Sequence, residues 1–184
     1  MLLQYETQRL ILKVIGPDYA KDVLQFYLND KALFEKYEMD RCPNFYTESH
    51  QHNILQAEYG LTLKMQQIRF YVFLKENPSQ LIGTVCLYQV STLYSHAEIG
   101  YKFSSKFQHK GYASEAVEKL IDIAFIELNL HRICAHVLEE NLPSIRLLEN
   151  LGFEKEGLCR DYLCLHGSWR NHVQYSIIQP NINL

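Results

Sequence analysis

The hydrophobic period of this 184-residue chain changes at Gly111, and no other feature limits its fold as strongly. Upstream, Ala97, Ile99, Tyr101 and Phe103 alternate with His96, Glu98, Gly100 and Lys102, the period of two expected of a strand with two distinct faces. Downstream, Ala113, Ala116, Val117, Leu120, Ile121, Ala124, Phe125 and Leu128 step by three and one, which predicts the strongest amphipathic helix in the chain. The two are joined through Gln108-His109-Lys110-Gly111-Tyr112-Ala113. At the start of a helix several N–H groups lack intrahelical partners, and with the helix dipole they suit an anion such as a pyrophosphate. Gly111 permits positive φ and close approach, and Ala113 is small enough to block neither phosphates nor packing. Taken alone, the hexapeptide also reads as an ordinary connecting turn.

The same two periods set out the remaining elements. Residues 6–13 read as a first strand ending at the Gly16-Pro17 breaker, followed by a helix carrying Ala20, Val23, Leu24, Tyr27 and Leu28 on one stripe. Thr47 caps a further helix running to about Lys64, with residues 37–46 as a loop between the two. Residues 70–74 and 81–88 form a hairpin around a turn at Asn77-Pro78-Ser79-Gln80. Ile133, Ala135 and Val137 alternate with Arg132, Cys134 and His136 as another strand, and a helix runs from Asn141 as N-cap to Gly152 as C-cap. A second hairpin, turning at His166-Gly167-Ser168, completes a β-α-α-β-β-β-α-β-α-β-β order, the pattern of an α/β (α+β) mixed sheet with helices packed on it.

Composition narrows the function. A chain of this length predicts one domain over residues 1–184, and 8 Gly with 5 Pro leave little material for linkers. A net charge of −3, with no Lys/Arg stripe interleaved with aromatics, argues against nucleic acid as a partner. No apolar run is long enough for a membrane span and the N-terminus lacks a signal-peptide pattern, so a cytoplasmic protein is expected. Five cysteines without a C-x-x-C pair suggest reduced thiols, and His50 with His52 has no third ligand at a recognisable spacing, so no metal is expected.

Ala97-Glu98-Ile99-Gly100-Tyr101, then Gln108-His109-Lys110-Gly111-Tyr112-Ala113, Asn141-Leu142-Pro143-Ser144 and Leu151-Gly152-Phe153, resemble in order the motifs of the GNAT superfamily of acetyl-coenzyme A dependent N-acetyltransferases. Glu6-Thr7-x-Arg9-Leu10 near the start, and Arg160-x-Tyr162, Gly167-x-Trp169 and Tyr175 near the end, are similar to its RimJ/RimL-type branch. The resemblance covers about residues 5–178. It implies a mixed, mostly antiparallel sheet splayed between its fourth and fifth strands, with helices on both faces. It also implies a pantetheine arm paired with the main chain around Tyr101, Lys102, Phe103 and Ser104, and a pyrophosphate on the loop Gln108, His109, Lys110, Gly111, Tyr112 and Ala113. Asn141 would contact the coenzyme arm. Dimers are common in the branch, which leaves room for a homodimer.

Acetyl transfer to an amine requires loss of a proton, because α-amines and lysines with reference pKa values of about 8 and 10.4 arrive charged. Glu98 stands at the family position for the carboxylate that accepts it, directly or through water; the alternative is a salt-bridged Glu paired with Lys102. Many relatives place a tyrosine seven residues after the residue matching Asn141 to protonate the departing sulfur. This chain has Leu148 there, while Ser144 matches the serine used in the RimJ/RimL-type branch, as a hydrogen-bond donor to sulfur or as a helix residue bonding its own backbone. The implied acceptor is a primary amine, either a protein N-terminal α-amine or a small molecule. The alternatives are a polyamine or antibiotic acetyltransferase and a coenzyme-A-binding regulatory module that has lost transfer.

Overall fold

Eight strands form one sheet in the computed structural model, which describes residues 1–179. In chain order they are β1 (Gln4–Glu6), β2 (Leu10–Lys13), β3 (Ile68–Leu74), β4 (Asn77–Ser91), β5 (His96–Phe103), β6 (Arg132–Leu138), β7 (Glu154–Leu165) and β8 (Ser168–Ile178). Their spatial order is β1-β2-β3-β4-β5-β6-β8-β7, antiparallel throughout except for β5 beside β6. The five α-helices are α1 (Ala20–Asn29), α2 (Lys31–Glu35), α3 (Glu48–Leu63), α4 (Tyr112–Asp122) and α5 (Leu142–Asn150).

Both faces of the centre of the sheet are covered, and β3 displays this directly. Ile68, Phe70, Val72 and Leu74 enter one apolar core together with Ala116, Val117 and Leu120 of α4 and Leu148 of α5. The intervening Tyr71 and Phe73 enter a second core with Val23, Phe26 and Tyr27 of α1, Phe34 of α2 and Leu55 of α3. Alternation on β5 follows the same division. Ala97, Ile99 and Phe103 join the α4–α5 core, which leaves Glu98, Gly100 and Lys102 facing the α1–α3 side.

Two local expectations are corrected, and two further features have no expectation to meet. The first strand is two, because Thr7 folds a tight turn in which its N–H reaches the Leu10 carbonyl at 3.0 Å and its Oγ1 accepts the Leu10 N–H at 3.1 Å. The hairpin turns at Lys75-Glu76, and Asn77–Gln80 belongs to β4. Leu74 pairs with Asn77 but Phe73 pairs with Leu81, so residues 78–80 are the surplus of a bulge. The five-residue α2 lies in a stretch with no periodic signal. α4 runs on into one π-helical turn, Ile123–Glu127, with the Leu128 N–H bonded to the Ile123 carbonyl.

Candidate active site

β5 and β6 pair over only three residues: His96 with Arg132, Ala97 with Ile133, and Glu98 with Cys134. Beyond them β5 stays bonded to β4 as far as Phe103, and β6 to β8 as far as Leu138, so the facing edges diverge, and at the far end the Phe103 carbonyl accepts from Gln108 Nε2 at 3.3 Å. A cleft of about 520 Å³ occupies the gap, lined by Gly100, Tyr101, Lys102 and Phe103 on one side, Ala135 and His136 on the other, and Asn141 and Ser144 at the start of α5. An extended chain carrying amide groups can bond to such edges as an added strand.

At one end of this cleft the connection from β5 to α4 passes through two left-handed residues, His109 at φ 59° and Gly111 at φ 78°. The main-chain N–H groups of residues 109–114 find no acceptor among the described residues, and the first intrahelical bond is Glu115 N–H to the Gly111 carbonyl. Alternating handedness of this kind turns successive N–H groups toward a common point, a concavity suited to an anion at a helix start. A clamp from the N-terminus holds the loop in shape. Glu115 accepts from Thr7 Oγ1 at 2.5 Å, Arg9 N at 2.8 Å and Arg9 Nε at 2.7 Å, while Arg9 Nη1 donates to the Lys110 carbonyl at 2.9 Å. The guanidinium also lies 4.5 Å from the Tyr112 ring centroid. Burial would raise the Glu115 carboxyl, but the bonds from Thr7 and Arg9 together outweigh it and hold the group below its ordinary value.

On the α1–α3 side, at the point where the strands part, Glu98 stands beside His136, with Oε2 3.4 Å from Nδ1. The imidazole holds the Glu98 carboxyl below the usual carboxylate range, against the burial that would raise it. Lys102 is not its partner. That ammonium turns to Glu38 in the segment after α2 and lies over the Tyr27 and Phe34 rings, where burial pulls it below the ordinary lysine value. Between Glu98 and Lys102, Gly100 is required by packing: a Cβ there would lie 2.6 Å from the Tyr88 ring. That ring is anchored by Arg69 Nη2 on its phenol oxygen at 3.1 Å.

On the opposite side, Asn141 caps α5 by accepting the Ser144 N–H at 3.4 Å, and the Tyr101 phenol spans the cleft to donate to the Ser144 carbonyl at 3.2 Å. Burial pushes the Tyr101 phenol up to about 12. The Ser144 hydroxyl makes no hydrogen bond among the described residues, so backbone bonding does not occupy it. Leu148 is 1% exposed and is a core residue. Of the sequence-derived residues, Tyr101, Lys102, Phe103, Gln108, His109, Gly111, Tyr112, Ala113, Asn141 and Ser144 come together around the cleft. Ser104 does not: its N–H is bonded to the Ile82 carbonyl and its side chain is buried away from the gap. Lys110 and Glu98 stand just outside the lining, Lys110 facing Arg9 and Phe107, Glu98 facing His136. Among the described residues no group of three or more His, Cys, Asp or Glu is placed to hold a metal ion, and no helix is long and apolar enough to cross a membrane.

Because the first expected strand is two, the splayed β5–β6 pair is the fourth and fifth strand of the arrangement the resemblance implies, and the model of the acetyltransferase (GNAT) domain family matches residues 9–154. The chain is a GNAT N-acetyltransferase. An N-acetyltransferase of Bacillus licheniformis, p20, is 40% identical over 173 residues, 94% of each chain. Among solved structures, the ribosomal-protein-S5-alanine acetyltransferase of Vibrio fischeri superposes with a TM-score of 0.89 at 28% identity, covering 96% of this chain and 97% of that one. Mycobacterium smegmatis RimJ in complex with CoA-disulfide gives 0.86 at 25% identity, covering 92% and 81%. In this GNAT acetyltransferase the motif-based reading missed what Thr7 and Arg9 hold and that His136 meets Glu98. It also missed His166, whose ring nitrogens reach Asp40 Oδ1 at 2.7 Å and the Glu35 carbonyl at 2.8 Å, joining the β7–β8 turn to the end of α2 and the segment after it. The alternation of Arg132, Cys134 and His136 already put His136 on one strand face; the contact across strands needed the fold.

Proposed function

We propose that this acetyltransferase moves the acetyl group of acetyl-CoA directly onto a primary amine, in a ternary complex without a covalent enzyme intermediate. The observation that carries this reading is the position of the splay. It begins immediately beyond Glu98 and Cys134, with the anion-binding loop at its far end on the α4–α5 side and a carboxylate with an imidazole on the α1–α3 side. A coenzyme whose diphosphate rests on residues 109–113 and whose amide-bearing arm follows the β5 edge past Tyr101 and Asn141 delivers its thioester to the narrow end of the gap. The acceptor approaches from the opposite side, under residues 33–38 and past His172. Ser144, with its free hydroxyl, then donates a hydrogen bond to the departing sulfur, and the Glu98 side of the sheet takes the proton released by nitrogen.

The S5-alanine acetyltransferase of Vibrio fischeri and the CoA-bound RimJ support a protein N-terminal α-amine as the acceptor and acetyl-CoA as the donor. The buried Leu148, at the place where a tyrosine would protonate sulfur, favours one competing reading, a coenzyme-binding module without turnover. Incubation with acetyl-CoA and a panel of Ala- and Ser-initiated peptides, spermidine and aminoglycosides, followed by free-thiol release, separates the two. Thiol release on an amine supports transfer; tight coenzyme binding without release on any amine supports the module.

A further inference from the structure

Glu98 is held where β5 and β6 still pair, and its carboxylate is not among the groups lining the cleft, whereas His136, two residues along β6 where the strands have parted, is. The imidazole is held by two neighbours and free at one nitrogen. Its plane stacks on the Tyr162 ring with centroids 4.5 Å apart and 16° between planes; Nδ1 is buried with no other acceptor than Glu98, 3.4 Å away; and Nε2 makes no bond among the described residues. A buried nitrogen without a hydrogen-bond partner is costly unless the partner closes in during turnover, and such contacts commonly shorten when substrate is bound.

Resting on the acetyl-transfer reading above, we infer that His136 is the group that takes the proton from the acceptor amine, and that Glu98 is its positioning residue. Glu98 accepts Nδ1–H, which fixes the tautomer with Nε2 bare and facing the gap, and it stabilises the imidazolium that forms. The nitrogen lone pair makes the C–N bond, the C–S bond breaks with its electron pair going to sulfur, and the proton leaving nitrogen rests on Nε2. That proton then passes to sulfur or to solvent, giving an amide and a thiol. The titratable and charged groups around His136 suit this task. Glu98 faces it from β5, with His96 on the far side of that carboxylate; Cys134 lies on its own strand; Tyr162 faces it from β7, with Cys159 next to that phenol; and His172 faces it from β8, itself beside Glu140 and Arg170, with the Lys102–Glu38 pair beyond Gly100. Burial holds His172 below the ordinary histidine value, so it remains neutral and adds no competing charge beside His136 near pH 7.

The test uses the full chain, acetyl-CoA and whichever peptide or polyamine of the panel above turns over. His136→Gln should lower kcat about a hundredfold while leaving the KM for acetyl-CoA within about twofold. His136→Ala should recover part of its rate in added imidazole. Glu98→Gln should cost about tenfold and move the acidic limb of the pH–rate profile, a change that a purely structural role for the carboxylate would not produce. If neither histidine variant folds, the wild-type profile decides: with acceptors of graded amine pKa, one limb must stay fixed and so belong to the enzyme. A rate within about twofold of wild type in His136→Gln, or a single limb that follows only the amine, overturns the inference. Absence of turnover by the wild-type enzyme on every amine instead strikes the acetyl-transfer reading, and the inference with it.

Discussion

Arg9 is far from the reacting groups, yet its replacement should weaken coenzyme binding. Its ion pair with Glu115 is about half exposed on the arginine side, 42% against 16%, which limits that contact to about 0.5 kcal/mol. The bond from Nη1 to the Lys110 carbonyl adds about 1 kcal/mol, and the guanidinium over Tyr112 about 0.5 kcal/mol. Arg9→Ala therefore releases about 2 kcal/mol of restraint, concentrated on the loop that carries the left-handed residues His109 and Gly111. If that restraint keeps the N–H groups converged, the loss appears as a 10- to 30-fold weaker affinity for CoA, at roughly 1.4 kcal/mol per tenfold. The melting temperature should fall by at most about 4–8 °C in a chain of this size. Arg9→Lys is the sharper variant, because an ammonium can stay near Glu115 but cannot bond Glu115 and the Lys110 carbonyl as a fork. It should melt nearly as wild type and still bind CoA several-fold more weakly in a calorimetric titration. CoA affinity within about twofold of wild type in both variants would refute the claim that Arg9 shapes the loop.

Gly100→Ala would place its Cβ 2.6 Å from the Tyr88 ring, which Arg69 anchors, so an overpacking cost of about 1–3 kcal/mol should lower the urea midpoint; an unchanged midpoint would contradict the packing account. Ser144→Ala should reduce kcat about tenfold with CoA affinity retained, and an unchanged kcat would remove the hydroxyl from the transfer step. Both ring nitrogens of His166 face acceptors, the Glu35 carbonyl and the Asp40 carboxylate, and those contacts raise its pKa above the ordinary value. A raised folded pKa contributes stability that is fully present below the unfolded value of about 6.5 and is lost as pH rises through the folded value. Thermal melts of wild type and His166→Gln should therefore differ most below about pH 6.5 and converge in alkaline solution; a constant gap across pH would count against the charged strap.

Elements with long, clean periods were legible before any coordinates. α4, β5, β6 and α5 stand where alternation and three-one stepping put them, with Asn141 as the cap and Gly152 left-handed at the exit of α5. What failed were short elements and turns with atypical residues. Thr7-Gln8-Arg9 turns without Gly or Pro, Lys75-Glu76 does the same, and Asn-Pro-Ser, which has turn chemistry, is used in a bulge instead. The left-handed entry to α4 could be read because its residues are contiguous and its glycine adopts φ 78°. The clamp could not, because Arg9 and Glu115 are 106 residues apart and such contacts leave no period in a sequence. The Lys102–Glu38 pair escaped for a similar reason: alternation put Glu98 and Lys102 on one face, but the segment after α2 that claims the ammonium has no pattern of its own.

Calorimetric titration with CoA, set beside pantetheine, which lacks the diphosphate, tests the central claim most directly. If residues 109–113 hold a diphosphate and so aim the thioester into the β5–β6 gap, CoA should bind and pantetheine should bind at least about a hundredfold more weakly, as expected when several charge-assisted hydrogen bonds are lost. Equal affinities for the two ligands, or no heat with CoA at all, would contradict the account.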